Sequence, residues 1–83
     1  MISIEDLRLA VTLAHSESLS AAARRLNVSP PALSMRLRKL EATLGAKLAS
    51  RDARRLSLTA EGERFAAESA TLLQQLEALP ESF

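Results

Sequence analysis

SPPALSMRLRKLEATLG, residues Ser29 to Gly45, is the stretch that decides the fold. Leu33, Leu37, Leu40 and Leu44 recur at steps of 4, 3 and 4, which sets them along one face of an α-helix. Ser29 is a good N-cap, and Pro30 at the first helical position lacks only an N–H that would be unpaired there. Pro31 is still within the first turn and removes no intrahelical bond. Gly45 ends the helix. At about 100° per residue, Pro31, Met35, Arg38 and Ala42 project from the face opposite the leucines, with Ser34 and Lys39 beside them. A leucine seam backed by a slim, basic ridge of small residues has the shape and charge needed to enter a DNA major groove.

Working outward, Ser18 caps a short helix, LSAAARRL, in which Leu19, Ala22, Ala23 and Leu26 face inward and Arg24 and Arg25 face out. Arg24 and Arg25 either meet DNA or pair with acids such as Glu17. Asn27-Val28 makes a tight turn into the next helix, so the two form a helix-turn-helix. Before them, Ser3 caps a helix running to about Ser16, with Asp6 at its N3 position. Ile4, Leu7, Val11 and Ala14 make one apolar face, and Leu9 and Leu13 a second on the far side. A helix apolar on two sides packs against two neighbours, and the second can be another chain.

After Gly45, Lys47 to Arg51 reads as a short strand, residues 52–55 as a polar turn with a basic tip, and Leu56-Ser57-Leu58 as the return strand. Thr59 caps the last helix, which carries Glu61 and Glu63 in its opening turn and runs to about Leu79, before Pro80. Phe65, Ser69, Leu72, Leu76 and Leu79 are spaced 4, 3, 4 and 3, a heptad-like seam that Ala66 and Leu73 widen. A helix of about twenty residues cannot bury its whole length against so small a domain, so the seam reads as a dimer contact. The fold class is mainly α: three helices and a short two-stranded wing, residues 1–58, followed by a long dimerisation helix and tail, residues 59–83.

Composition narrows the function. The chain has 83 residues and no cysteine, which allows one small domain without disulfides or thiolate metal sites. His15 is the single histidine and sits at a helix end, so no cluster of metal ligands forms. There is no phosphate-binding glycine loop and no Ser–His–acid set, and an enzyme is not expected. No cofactor is expected either. No apolar run approaches the ~20 residues of a membrane span, and the N-terminus lacks a signal-peptide pattern, so a cytoplasmic location is expected. The net charge of +1 hides an asymmetry: residues 1–58 carry ten Lys/Arg against five Asp/Glu, whereas residues 59–83 carry one Arg against five Glu. Residues 18–58 alone hold nine cations against Glu41 and Asp52. A basic front of this kind suits a polyanion.

The order helix, helix-turn-helix, wing, long helix resembles the N-terminal DNA-binding region of LysR-type transcriptional regulators, from Ile4 to about Leu79. The shared residues are Leu7, Ala22-Ala23, Leu26, Val28-Ser29, Pro31-Ala32-Leu33-Ser34, Leu40-Glu41, Leu44-Gly45, Leu48, Arg51, Leu58-Thr59 and Gly62. Two departures fall at the start of the recognition helix, with Pro30 where the family commonly has Gln and Met35 where it commonly has Arg. Ala10, Leu19 and Ala49 stand where it often has Phe and are expected to point inward.

The resemblance implies a winged helix-turn-helix that binds double-stranded DNA as a two-fold homodimer on an inverted repeat. It also implies that a small-molecule-sensing effector domain, which family members carry, is absent from these residues, so no small-molecule ligand is expected here. Base reading falls to Pro30, Pro31, Ser34, Met35 and Arg38, with Arg38 divided between a base and a phosphate. Phosphate contacts fall to Ser18, Ser20, Ser29, Arg36, Lys39 and Arg51. Arg54 and Arg55 at the wing suit a flanking minor groove. Leu9, Leu13, Phe65, Ser69, Leu72, Leu73, Leu76 and Leu79 make the dimer interface. Two rival readings remain at this point: a helix-turn-helix that contacts protein, and a DNA-binding protein without sequence preference.

Overall fold

A computed structural model describes residues 1–51 and 55–83. Each helix begins where a hydroxyl can satisfy the orphan donors of its first turn. Helix α1, Ile4–Ala14, opens on a full capping box: the Ser3 hydroxyl accepts from the Asp6 N–H at 3.3 Å, and the Asp6 carboxylate accepts from the Ser3 N–H at 2.9 Å. Helix α2, Leu19–Arg25, opens on Ser18, whose hydroxyl accepts from the Ala21 N–H at 3.0 Å. Helix α3, Pro30–Leu44, opens on Ser29 with both prolines in its first turn. Asn27, in the turn between α2 and α3, has φ of +60°, a left-handed conformation that asparagine tolerates better than most residues.

Strands β1, Ala49–Arg51, and β2, Leu56–Leu58, pair antiparallel with Ala49 opposite Leu58 and Arg51 opposite Leu56. The first strand is shorter than the sequence suggests, because residues 47 and 48 serve the junction with the last helix instead. The Lys47 carbonyl accepts from the Thr59 hydroxyl at 2.6 Å, and the Leu48 carbonyl accepts from the Thr59 N–H at 3.0 Å. Helix α4, Ala60–Ala78, follows and passes into a 3-10 turn, Leu79–Ser82.

The core is where α1, α2, α3 and β1 converge. Leu33 and Leu37 are fully buried and Leu40 is 2% exposed, gathered with Ala22, Ala23, Leu48 and Ala49. Ala10 and Ala49 are buried, and Leu19 packs half-buried against the cluster, as the sequence predicts. The two faces of α1 are assigned the other way round from the sequence expectation. Leu9 and Leu13, each 2% exposed, join the core, and Ile4 and Ala14 lie at the surface with Leu7 and Val11 half-buried. Both faces of α1 are apolar, so periodicity alone could not tell which one meets the leucine seam of α3. Leu9 and Leu13 are therefore core residues, not dimer contacts.

Helix α1 also packs along the first half of α4. Gly62, Ala66 and Ser69 are the buried residues of α4, and none follows them in the helix. Ser69 is 1% exposed and shut inside the single chain, so it too leaves the predicted dimer seam, and Phe65 packs against the core. The reason is length: α1 has 11 residues and α4 has 19, roughly 16 Å against 28 Å. Beyond Ser69 the helix outruns its cover, and Leu72, Leu76 and Leu79 are 52%, 41% and 55% exposed. Leu73 is half-buried.

Gly62 marks a close approach of α4 to Leu48, the residue before β1. A Cβ on it would stand 1.9 Å from the Leu48 carbonyl oxygen, a distance no side chain adjustment relieves because the neighbour is backbone. Gly62→Ala is therefore expected to lower the unfolding free energy by about 1–3 kcal/mol, the usual cost of overpacking. Chemical denaturation checks it, and an unchanged midpoint would mean that α4 can withdraw from Leu48 freely.

Candidate nucleic-acid interface

With its leucines turned inward, α3 presents the opposite face to solvent. Pro30, Pro31, Met35, Arg38 and Lys39 are exposed on it and Ser34 is partly so. The Arg38 Nη2 donates to the Ser34 hydroxyl at 3.3 Å, one turn back. That contact draws the guanidinium back along the helix toward its N-terminus. The ridge is slim enough, at about 10–12 Å for a helix with its side chains, to fit a groove of about 12 Å.

On one flank, Arg36 and Lys39 line a cleft of about 400 Å³ together with Ser3, Glu5 and Asp6 of the α1 start. These two cations thus share their surroundings with two carboxylates, which lowers the local positive potential. Between the wing and the loop before α2, Arg55 and Ser18 line a cleft of about 570 Å³ with Glu17 and Leu56. The wing is fastened there, because the Leu56 N–H donates to the Glu17 carbonyl at 3.2 Å. Ser18 and Arg55, distant in sequence, are brought together by this strand-to-loop bond. Ser20 and Ser29 are exposed at the starts of α2 and α3. Arg51 ends β1; its side chain, and all of Arg54, lie outside the described residues.

Two positioning residues were not read from the sequence. Glu41 is only 8% exposed, and its Oε2 accepts from the Leu48 N–H at 2.8 Å and the Ala49 N–H at 3.4 Å. A carboxylate on the leucine face of α3 was the available signal: it stands at about 40° from Leu37, on the side that must be buried. It holds the start of the wing against the recognition helix by charge-assisted bonds. The other is Arg25, which donates to the His15 carbonyl and, at 3.2 Å, to the Ser16 hydroxyl. It caps the end of α1, where a cation also complements the helix dipole, and so fixes the loop that carries Ser18 and the Glu17 carbonyl. Besides these bonds to the end of α1, Arg25 lines a cleft with Glu17, Ala21 and Arg24.

Among the described residues no three His, Asp, Glu or Cys side chains gather as a metal site would require, and no helix is long and apolar enough to cross a membrane.

Comparison with known proteins points one way. Residues 4–63 match the model for bacterial regulatory helix-turn-helix proteins of the lysR family. The uncharacterized transcriptional regulator YnfL of Escherichia coli K12 is 38% identical over 76 residues, covering 92% of this chain and 26% of that protein. The AhcY transcriptional activator HvrB of Rhodobacter capsulatus is 48% identical over 66 residues, covering 80% of this chain and 23% of that one. The chain therefore spans about a quarter of the length of these curated relatives. Among solved structures, the CbnR DNA-binding domain in complex with DNA superposes with a TM-score of 0.90 at 30% identity, over 98% of this chain and 93% of that one.

Arg25→Ala is expected to lower the unfolding free energy by about 0.5–1 kcal/mol through loss of the α1 cap. Arg24→Ala, on the exposed side of α2, is expected to stay within about 0.5 kcal/mol of the parent. Thermal unfolding of the two variants side by side decides it: equal midpoints would remove Arg25 from the packing of the loop.

Proposed function

The chain belongs to the lysR family of bacterial regulatory helix-turn-helix proteins, and on that premise we propose that it binds double-stranded DNA sequence-specifically, as a two-fold dimer on an inverted repeat. The family is one of transcriptional regulators, and no catalytic step belongs to this reading. The carrying observation is the outward face of α3, whose exposed Pro31, Met35 and Arg38 stand opposite Leu33, Leu37 and Leu40, which are closed to water. Pro30, Pro31, Ser34, Met35 and Arg38 read bases, and Ser18, Ser20, Ser29, Arg36, Lys39 and Arg51 hold phosphates. Arg55 and Arg54 reach the flanking minor groove from the wing. Residues 1–58 form the DNA-reading unit and residues 59–83 the linker. The work is done in the cytoplasm, where a bacterial chromosome lies.

Dimer formation on this reading uses the far half of α4. Leu72 and Leu76 are exposed there, Leu73 beside them is half-buried, and exposed Leu79 continues the stripe into the 3-10 turn. To read an inverted repeat in successive major grooves, the two recognition helices of such a dimer need to stand about 34 Å apart, one helical turn of DNA.

Selection from random duplexes at near-physiological salt is expected to enrich an inverted repeat of fixed spacing. DNA retained without a shared motif would favour the reading without sequence preference, and no retained DNA would favour a protein-contacting module. If a dimer neutralises about eight phosphates, log K falls against log salt with a slope near −7. Arg38→Ala costs roughly 1–3 kcal/mol at one base position if it reads that base. A uniform loss on all sequences with a shallower salt slope assigns it to a phosphate instead. Leu76→Glu is expected to give a monomer in sedimentation, since pairing would bury a charge; a dimer that persists would move the interface elsewhere.

A further inference from the structure

Met35 is 69% exposed at the middle of the outward face of α3. The other large hydrophobic side chains that are exposed among the described residues lie at the start of the chain or from Leu72 onward. Met35 is therefore separate from the apolar stripe of α4. One exposed hydrophobic residue is ordinary on any surface. What distinguishes this one is its setting, with exposed Pro31 a turn before it and the Arg38 guanidinium drawn aside onto the Ser34 hydroxyl at 3.3 Å. The centre of the ridge is thus left to an unbranched thioether that cannot donate a hydrogen bond.

In the major groove every base edge offers hydrogen-bonding groups, and thymine alone adds an apolar one, its C5 methyl. A flexible, polarisable methionine conforms well to such a small apolar partner. Resting on the DNA-binding reading above, we infer that Met35 is a specificity-determining residue that packs on the C5 methyl of a thymine in each half-site. The polar reading next to it belongs to Arg38 and Ser34 on the neighbouring flank of the same helix. A half-site then combines one position read by its methyl with an adjacent one read by hydrogen bonds. The preferred duplex carries a thymine where a guanidinium at position 35 would ask for a guanine.

The probe is the duplex enriched from the random pool, with each thymine replaced in turn by deoxyuridine, which pairs identically and lacks only the methyl. The parent chain is expected to lose affinity about fourfold per half-site at one symmetry-related thymine, the value of one buried methyl, and to be indifferent at thymines outside the contact. Met35→Ala is expected to bind parent and deoxyuridine duplexes equally, and Met35→Leu to restore the discrimination. The side chain is exposed, so these variants retain the fold. A specific duplex bound with equal affinity after every replacement would overturn the role of Met35, as would an unchanged deoxyuridine penalty in Met35→Ala. Failure to enrich or retain any duplex would instead overturn the DNA-binding reading, and the role of Met35 with it.

Discussion

Everything in this molecule hangs on the exclusion of water from the leucine face of α3. Leu33, Leu37 and Leu40 each gain about 1.5–3 kcal/mol on burial, and they can be buried only because Ala22 and Ala23 let α2 come close. That single packing decision fixes the crossing of the helix-turn-helix and rotates Pro31, Met35 and Arg38 outward. The presentation of the candidate reading face is thus a by-product of core formation: the helix cannot turn the ridge inward without exposing three leucines.

Polar groups then attach the rest to this core at few points. The Glu41 carboxylate reaches from α3 to the amides of Leu48 and Ala49, and the Leu48 carbonyl in turn meets the Thr59 N–H and the bare Cα of Gly62. One short segment, residues 47–49, therefore couples recognition helix, wing and α4. At the other end of the sheet, the Leu56 amide and the Glu17 carbonyl tie the wing to the loop before α2. Short strands have little stability of their own, so the wing's position is inherited from these anchors. The consequence for function is that Ser18 and Arg55 face one cleft although 37 positions separate them in the numbering.

Helix α4 divides its apolar surface between two tasks. Its first half is closed by α1, tightly enough to bury the Ser69 hydroxyl without a hydrogen-bond partner among the described residues. Beyond Ser69, Leu72, Leu76 and Leu79 stay exposed. An unsatisfied buried hydroxyl costs stability, which the apolar packing around it must offset.

Residue order by itself determined the helix count, the caps at Ser3, Ser18, Ser29 and Thr59, the turn at Asn27 and the outward ridge of α3, because these depend on contacts within a few residues. The family pattern was legible for the same reason: it is carried by local spacing. The tertiary structure decided which face of α1 is buried, and it moved Leu9, Leu13 and Ser69 from a predicted interface into a single chain's interior. It also revealed Glu41 and Arg25 as the ties that position the wing and the α2 loop. Periodicity reports that a face is apolar but not which neighbour covers it, and an exposed-looking charge becomes a tether only when a backbone amide or carbonyl distant in sequence arrives beside it.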